Sequence, residues 1–413
     1  MKRILTKTIF QIYDVLNGSQ ITKFAKECST ANEKIVPRDE EINAYLSKFK
    51  IKRSFDNLPI TGRKYVIEHT QKVAIDKIKS WAFTGGSFGE PLRIPYSKYR
   101  NSIRTGTFKH FNELAGYSIG DSFALIRAKN KSSIIKYLRN ETIIIPSNIS
   151  EENLNLILDV LQKRKVKVLM GYPTVMFEIA KYIDKNKISL PVKFLISTSE
   201  MLDQEKRNYV KKIFDCAFVD RYSNEEVGLI AQQKNFGGDY FVNRFGVYVE
   251  LLDEHNHPVK TGKTGRVVVS DFNNDLIPFL RYDTGDMAVA GDYHNSQLIT
   301  IKKILGRTAD IIFDVNGNPI SSLALGPAIY KPLSNASLNT QFQLVQVTKD
   351  SYILKIKSKQ DEVGKDVMSL IVDELRTKLG VNSNIDLEFV EDIPPLKSGK
   401  RPVYINLYKR KIV

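Results

Sequence analysis

The chain is poor in the residue types that crosslink small secreted proteins or bind metals in clusters. Among its 413 residues are two cysteines, Cys28 and Cys216, together with five histidines and one tryptophan. Two cysteines cannot form a disulfide framework, and neither lies at the spacing of a zinc site or a redox pair. The sequence therefore predicts a protein of a reducing compartment such as the cytoplasm.

Long apolar runs are also missing. No stretch of about 18 apolar residues occurs, so we expect no transmembrane segment. The basic start, residues 1–7, is not followed by an apolar stretch of signal-peptide length, and we expect no leader. A hydrophobic fraction of 42% over 413 residues is ordinary for a globular protein and predicts two or three domains.

The chain has an excess of positive charge, formally +16 at pH 7. Such an excess can indicate nucleic-acid binding, because clustered basic side chains release counterions from phosphates. Here the basic residues are spread along the chain, with only short clusters such as 163–165 and 409–411. The distribution disfavours a nucleic-acid partner and favours attraction of anionic substrates or of an acidic membrane surface.

Hydrophobic spacing predicts alternating helices and strands in the middle of the chain. A helix is expected at 152–164, a strand at 166–170, a second helix at 173–182 and a second strand at 194–196. This alternation is typical of a parallel sheet. After Cys216 the pattern changes to short strands joined by turns, of which residues 247 to 252 and 266 to 269 are the clearest.

The same patterns predict three regions. Residues 1–75 form a polar, helix-rich segment of a large domain, and residues 76–307 form the rest of that domain. Residues 308–413 form a small α+β domain, with strands at 351–356 and 385–390 around a helix that ends before Gly380. The predicted fold class is therefore α/β, with a large N-terminal domain of several subdomains and a small C-terminal domain.

Three polar motifs indicate a nucleotide site assembled from distant parts of the chain. They are DRYSNEEVG at 220–228, RYDTGD at 281–286 and GR at 306–307. Activation of a carboxylate by ATP brings two anions together while pyrophosphate leaves. It therefore needs a metal ion held by an acid, donors around the phosphates, and a cation that meets the developing charge.

Four residues of these motifs are suited to such a site. Glu226 is the candidate ligand for a magnesium ion, and Tyr222 can stack a purine on its ring. Asp286 has two accepting oxygens for the ribose hydroxyls, and Arg307 can donate from the other side. Taken singly, each has a plainer interpretation, as an acid at the start of a helix, a core tyrosine or a turn residue. Their joint order and spacing favour the nucleotide site.

The motifs resemble those of the adenylate-forming superfamily, in particular its phenylacetate-CoA ligase branch and the related capsule-biosynthesis proteins. The resemblance runs from about residue 80 to the C-terminus. It implies that Tyr222 stacks on adenine, that Glu226 binds magnesium and that Asp286 binds the ribose. It also implies that the large domain ends at Arg307 and that the small domain is a mobile lid.

By this resemblance the phosphate loop falls at 84–91. Glycines such as Gly86 and Gly89 allow the backbone to approach the phosphates closely, and Thr84 and Ser87 can donate hydroxyl groups.

Two further segments follow from the resemblance. The last motif, PPLKSGKR at 394–401, aligns with the loop that carries the superfamily's catalytic lysine, which is Lys400 here. Residues 171–173 and 197–200 fall where the superfamily lines its acid and adenine pockets, which places Ser199 among the ATP-binding residues.

Two alternatives remain open. The phosphate loop has Gly85 and Phe88 where the family has small hydroxyl residues, and Ala309 replaces a charged hinge residue. These departures fit a non-catalytic relative that still binds a nucleotide. A serine hydrolase is the other alternative, because the sequence around Ser87 satisfies G-x-S-x-G. A nucleophile elbow must pass into a helix, and residues 90–95, with two prolines, disfavour one.

The expected function is thus ATP- and magnesium-dependent activation of a small carboxylic acid as its acyl-adenylate. Coenzyme A is the first expected acceptor of the acyl group, and an amine is the alternative. The capsule-related relatives suggest a place in surface-polysaccharide assembly. The motifs do not distinguish an aromatic acid from an aliphatic acid or an amino acid.

Overall fold

The computed structural model describes residues 2–33, 39–83, 92–127, 133–145, 151–199, 202, 204–307, 312–320, 322–336, 338, 340–393 and 403–408. These residues form two compact units. The first contains the described residues up to Lys303, except Leu92 and Gly285–Ala288. Those two segments belong to the second unit, together with the described residues from Ile304 onward.

The described residues form eleven α-helices and 21 strands. The helices are α1 (Lys2–Leu16), α2 (Gln20–Glu33), α3 (Asp39–Lys48), α4 (Arg63–Thr70), α5 (Lys98–Leu114), α6 (Ser133–Leu138), α7 (Glu151–Lys163), α8 (Pro173–Asn186), α9 (Gln204–Phe214), α10 (Ser322–Asn335) and α11 (Lys365–Leu379). The strands are β1 (Ser80–Phe83), β2 (Arg93–Tyr96), β3 (Phe123–Ile126), β4 (Glu141–Ile144), β5 (Val168–Gly171), β6 (Phe194–Thr198), β7 (Ala217–Asn224), β8 (Gly228–Gln233), β9 (Tyr240–Val242), β10 (Val247–Leu252), β11 (Thr264–Asp271), β12 (Phe279–Ala290), β13 (Tyr293–His294), β14 (Gln297–Leu298), β15 (Thr300–Arg307), β16 (Ile312–Phe313), β17 (Pro319–Ile320), β18 (Phe342–Gln346), β19 (Ser351–Lys357), β20 (Asn384–Val390) and β21 (Tyr404–Asn406).

The large sheet has a parallel half and an antiparallel half. Its strand order in the described residues is β10-β11-β12-β15-β9-β8-β7-β6-β5-β3-β4. From β4 to β7 each neighbouring pair is parallel, and α6 to α9 lie in the connections between those strands. The direction changes between β7 and β8, which pair antiparallel. The change of pattern predicted after Cys216 therefore lies one strand before the junction of the two halves, because β7 still pairs parallel with β6.

The parallel strands are apolar on both faces. Leu169, Leu195 and Phe218 pack with residues of α7 and α8 in one core cluster. The adjacent residues of the same three strands are Val168, Ile196 and Val219. They lie in a second cluster with Ala115 and Tyr117, which follow α5. Because successive residues of a strand point to opposite faces, the sheet is covered on both sides, as parallel sheets are. The predicted α/β class is confirmed.

The helix-rich character expected for residues 1–75 agrees with α1 to α4. Of these, α2 packs against α5 at very short range. A side chain at Gly106 would place its Cβ 2.8 Å from Phe24 Cβ and 2.9 Å from the backbone nitrogen of Ala25. Glycine is therefore required where the two helices cross.

The second unit is a small α+β domain. Its sheet in the described residues has the order β20-β19-β18-β21, and α10 and α11 cover it through a core that includes Ile329, Leu354 and Leu375. The predicted strands at 351–356 and 385–390 are present as β19 and β20, and α11 ends before Gly380 at φ +106°. No helix in the described part of the chain is both long enough and apolar enough to cross a membrane.

Candidate active site

The carboxyl ends of three parallel strands bring the predicted pocket segments to one edge of the sheet. In the strand register, Gly171 of β5 is opposite Ser197 of β6, and Thr198 is opposite Arg221 of β7. The hydroxyl oxygens of Thr198 and Ser223 lie 3.4 Å apart across this edge. Ligands of open α/β sheets bind outside the carboxyl ends of the strands, so this edge is a suitable place for a ligand.

Ser199 follows β6 directly at this edge. Its backbone has φ +71°, in the left-handed region, and its side chain is exposed. The preceding Ser197 is buried and donates its hydroxyl hydrogen to Asp220. The chain thus turns at Ser199 away from the strand direction and presents its hydroxyl group to solvent.

The motif at 220–228 contacts the motif at 281–286. Tyr222 is buried, and its hydroxyl lies 3.4 Å from Thr284 Oγ1. The hydroxyl of Tyr282 donates to Glu226 Oε1 at 3.3 Å. Two residues of each motif therefore meet, although the motifs are about sixty positions apart.

Glu226 does not begin a helix, which was its plainer interpretation. It lies in the turn between β7 and β8 and is buried. Its backbone carbonyl accepts a hydrogen bond from Arg100 Nη2, and its carboxylate accepts the bond from Tyr282. Both the backbone and the side chain of Glu226 are therefore held by other elements of the first unit.

Arg100 belongs to this arrangement, although no sequence motif pointed to it. It lies in the first turn of α5 and is completely buried, and its Nη2 also donates to Asp271 Oδ2 at 2.7 Å. Burial disfavours the guanidinium charge, but nearby Tyr96 and the Asp271 carboxylate outweigh this, so the pKa of Arg100 lies above its ordinary value. Arg100 is separated from its partners by 126 and 171 residues, so no local pattern could have indicated the contact.

The two adjacent acids of the first motif have different environments. Glu225 is partly exposed, and its carboxylate accepts from Arg104 Nη2 at 3.0 Å. Its backbone carbonyl accepts from the Tyr96 hydroxyl at 2.8 Å. Glu225 therefore belongs to the surface of the first unit, whereas Glu226 is directed inward.

Two charged residues of the second motif stabilise the fold. Arg281 donates to both carboxylate oxygens of Glu250, at 3.1 and 2.9 Å, and to the carbonyl of Leu58 at 2.9 Å. Asp283 pairs with Arg266. These partners fix β12. The neighbouring residues Tyr282 and Thr284 contact the first motif.

Asp286 and Arg307 lie together in the second unit. Arg307 Nε is 3.8 Å from Asp286 Oδ1, with the arginine side chain 42% exposed. An ion pair of this length and exposure contributes little to stability. The prediction that both residues contact the same ribose is compatible with this arrangement but is not tested by it.

Several predicted site residues lie outside the described residues. They include all of the phosphate loop, the catalytic lysine candidate and the altered hinge position, namely Thr84, Gly85, Gly86, Ser87, Phe88, Gly89, Ala309 and Lys400. Their roles remain predictions. Among the residues with described coordinates, no group of three or more His, Cys, Asp or Glu side chains could hold a metal ion by itself.

Comparison with solved structures identifies the class of the fold. A 2-hydroxyisobutyryl-CoA ligase in its postadenylation state matches with a TM-score of 0.63 and 14% identity, over 96% of this chain and 90% of that chain. The amide bond synthetase McbA from Marinactinospora thermotolerans matches with a TM-score of 0.52 and 15% identity, over 79% of this chain and 67% of that chain. The fold is therefore that of the adenylate-forming ligases.

Sequence comparison adds a similarity to CapK proteins. Residues 312–406 match the CapK C-terminal domain family. Protein CapK of Staphylococcus aureus is 26% identical over 342 residues, which cover 79% of this chain and 74% of that protein. The predicted resemblance to the adenylate-forming superfamily and its capsule-associated branch is confirmed.

Proposed function

We propose that this chain is an adenylate-forming ligase that activates a carboxylic acid with ATP and transfers the acyl group to a second nucleophile. The observation that carries the proposal is the contact between the two motifs. Tyr222 meets Thr284, and Glu226 meets Tyr282, on one part of the first unit. An aromatic ring for the base and a carboxylate for the metal are thereby available close together.

The proposed reaction has two balanced steps. In the first, a carboxylate oxygen attacks the α-phosphorus of ATP, the bond from that phosphorus to the bridging oxygen breaks, and pyrophosphate leaves. In the second, the acceptor attacks the acyl carbon, its proton is lost, and AMP leaves. The first step concentrates negative charge between two anions, so fixed donors and cations around the α-phosphate are the groups that accelerate it.

Glu226 fits the role of a magnesium ligand. Magnesium in nucleotide sites is commonly held by one or two carboxylates together with phosphate oxygens and water, so a cluster of protein ligands is not needed. The residue is buried, its carboxylate accepts a hydrogen bond from Tyr282, and its backbone carbonyl accepts one from Arg100. Glu226 would hold the magnesium ion, and bound magnesium would neutralise phosphate charge.

Other residues are proposed to bind the nucleotide. Asp286 and Arg307 would bind the ribose, and a half-exposed arginine 3.8 Å from its acid can reorient to share it with a ligand. Ser199, exposed after β6, would contribute to the adenine pocket. The phosphates would be bound by the loop containing Thr84, Gly86, Ser87 and Gly89.

Lys400 is proposed as the catalytic lysine, carried by the C-terminal domain as a mobile lid. A lysine ammonium is a compact charge on a flexible stem, suited to entering the site only when charge develops. Lys400→Ala should then slow adenylation about a hundredfold or more with little change in ATP affinity. Transfer from a synthetic acyl-adenylate should be affected less, because the lid moves the lysine away before that step.

The acceptor and the biological role are proposed from the relatives. Coenzyme A is the first choice, with an activity like that of phenylacetate-CoA ligase, because similar folds include CoA ligases; an amine is the alternative because they also include an amide synthetase. Similarity to CapK suggests capsular polysaccharide biosynthesis. Cys28 and Cys216 are buried free thiols, which agrees with a cytoplasmic location.

Pyrophosphate exchange against a panel of carboxylic acids tests the proposal. We expect magnesium-dependent exchange with a subset of the acids, and release of AMP when coenzyme A or an amine is added. ATP binding without exchange for any acid would instead support a non-catalytic relative. The same assay on Glu226→Gln shows whether the metal site has been assigned correctly.

The serine hydrolase alternative is disfavoured by the strands that flank Ser87. A nucleophile elbow leads from a strand into a helix. Here β1 and β2 pair antiparallel, and β2 begins at Arg93, so the next described element after Ser87 is a strand. Labelling of Ser87 by a fluorophosphonate probe would contradict this conclusion and the ligase proposal together.

A further inference from the structure

Helix α1 buries two polar residues and exposes most of its large apolar side chains. Thr6 and Asp14 are its buried residues. Ile4 and Leu16 are 72% and 79% exposed. The exposed apolar residues of the helix are Ile4, Leu5, Ile12, Tyr13, Val15 and Leu16. A surface helix of a globular protein normally has the opposite orientation.

Hydrogen bonds fix this orientation. The Asp14 carboxylate accepts from the backbone N–H groups of Ile21 and Thr22, at 2.8 and 3.0 Å, and from the Thr22 hydroxyl. It thus satisfies free N–H groups at the start of α2, where a negative charge is also favoured by the helix dipole. Rotating α1 about its axis to bury its exposed apolar residues would leave the N–H groups of Ile21 and Thr22 without the Asp14 carboxylate. The apolar face is therefore held outward.

Exposed apolar side chains of α6 lie beside the first turn of α1. Lys2 Nζ lies 4.8 Å from the centre of the Tyr137 ring, and Tyr137 and Leu138 are themselves exposed. Contiguous apolar patches on a protein surface usually mark a contact site.

Basic groups lie beside the N-terminal end of α1. Arg3 and Lys167 both pair with Asp121. Burial and the nearby charge of Arg164 lower the pKa of Lys2, so Arg164 lies close to Lys2. The acid in this cluster is outnumbered, so the surface beside α1 is positive.

A recess of about 530 Å³ opens beside α1, and Ile4 belongs to both the recess and the apolar face. The recess is lined by Arg3, Lys7 and Lys109, with Glu113 as its acid. Glu113 pairs with Lys109 at 2.7 Å. No ion pair joins Lys7 to an acid among the described residues, so the lining has positive charge available for an anion.

We propose that α1 docks this protein on an anionic lipid surface. The apolar face would enter the boundary between headgroups and acyl chains, and lipid phosphates would meet the cations of the recess and its rim. An amphipathic helix with an apolar face and flanking Lys and Arg binds membranes in this way, and each cation near such a surface strengthens binding about fivefold. A second copy of the chain fits less well, because it would bring the same cations face to face.

Vesicle flotation with the full chain tests the proposal. We expect association with vesicles of phosphatidylcholine mixed with phosphatidylglycerol, at least about tenfold weaker binding to phosphatidylcholine alone, and a loss at high salt. Replacing Ile12 and Leu16 by glutamate should weaken binding to the mixed vesicles by more than about tenfold. The matched control is Ile75→Glu, at a residue 84% exposed elsewhere in the first unit, which should change binding less than about twofold.

A probe on the helix gives a second readout that does not depend on loss of binding. Leu16→Cys can be labelled selectively with an environment-sensitive dye, because burial raises the pKa of the Cys28 thiol to about 12 and that of Cys216 to about 11. Mixed vesicles should shift the emission of this dye to the blue, and should not shift that of a dye on Ile75→Cys.

Three results would overturn the proposal. The first is equal binding to both vesicle types by the parent chain, or no binding to either. The second is unchanged binding and an unchanged melting temperature in the double glutamate variant. The third is a parent chain that is a dimer in solution and a double glutamate variant that is a monomer, since the apolar face would then be covered by a second copy.

Discussion

Glu226, proposed to bind magnesium, and Asp286, proposed to bind the ribose, differ in the partners that the structure gives them. Glu226 is buried and anchored through both its backbone and its carboxylate. Asp286 has an arginine 3.8 Å away whose side chain is 42% exposed. A metal ligand benefits from a fixed carboxylate, whereas a ribose-binding pair must open to admit hydroxyl groups. The first acid should therefore be coupled to stability, and the second to nucleotide affinity.

The largest expected effect concerns the anchor of Glu226. Arg100→Met should lower the free energy of unfolding by about 3–5 kcal/mol, because it leaves the buried Asp271 carboxylate without its cation. Urea denaturation followed by circular dichroism measures the change.

The matched control is Arg104→Met, one helical turn further along α5. Arg104 pairs with Glu225 at 3.0 Å where both side chains are partly exposed, so its loss should cost about 0–1 kcal/mol. Similar losses for the two variants would mean that the Arg100 pair does not anchor the first motif.

The next effect compares the two neighbouring acids of the first motif. Glu226→Gln keeps the shape of the side chain and removes its charge, so magnesium-dependent pyrophosphate exchange should fall about a hundredfold or more. Glu225→Gln changes a surface acid in the same turn and should retain nearly the parent rate. Exchange by Glu226→Gln at the parent rate under limiting magnesium would remove Glu226 from the metal site.

Regular patterns in the sequence predicted the fold well. The helical spacing of Leu154, Leu158 and Leu161 corresponds to the buried side of α7, and the strand predicted at 247–252 has the bounds of β10. Such elements are predictable because their apolar residues repeat with the period of one helix or strand. The order of strands in the antiparallel half depends on pairing between distant segments, and periodicity contains no information about it.

The candidate site was predictable only in its motif residues. Tyr222 and Glu226 were named from a familiar spacing, and their roles stay predictions. The contacts of Glu226 with Arg100 and Tyr282 were missed, because they join residues more than fifty positions apart in the sequence. In helix α1, periodicity alone would not show which side is buried, because the hydrogen bonds of Asp14 fix the orientation of the helix and its apolar residues are exposed.

Asp286, which pairs with Arg307 in the second unit, should affect ATP binding more than the stability of the fold. Asp286→Asn removes a charged hydrogen-bond acceptor, so ATP affinity should fall about ten- to a hundredfold, or about 1.5–3 kcal/mol. The unfolding free energy should change by less than about 1 kcal/mol, since asparagine keeps the size and one accepting oxygen of the side chain, and the ion pair with Arg307 is 3.8 Å long. Titration calorimetry measures the affinity, and unchanged ATP binding would rule Asp286 out as a ribose ligand.

The smallest expected effect tests how far the orientation of Glu226 depends on one hydroxyl group. Tyr282→Phe removes the donor that lies 3.3 Å from Glu226 Oε1 and leaves the aromatic ring in place. A hydrogen bond as long as this one contributes about 1 kcal/mol, so the magnesium concentration for half-maximal exchange should rise about fivefold while the maximal rate is nearly retained. Tyr65→Phe is the control, because it removes a hydroxyl that donates to the Pro278 carbonyl at 3.1 Å outside the candidate site. If both variants shift the magnesium dependence equally, the effect is a general loss of rigidity, and the proposed link from β12 to the metal ligand is wrong.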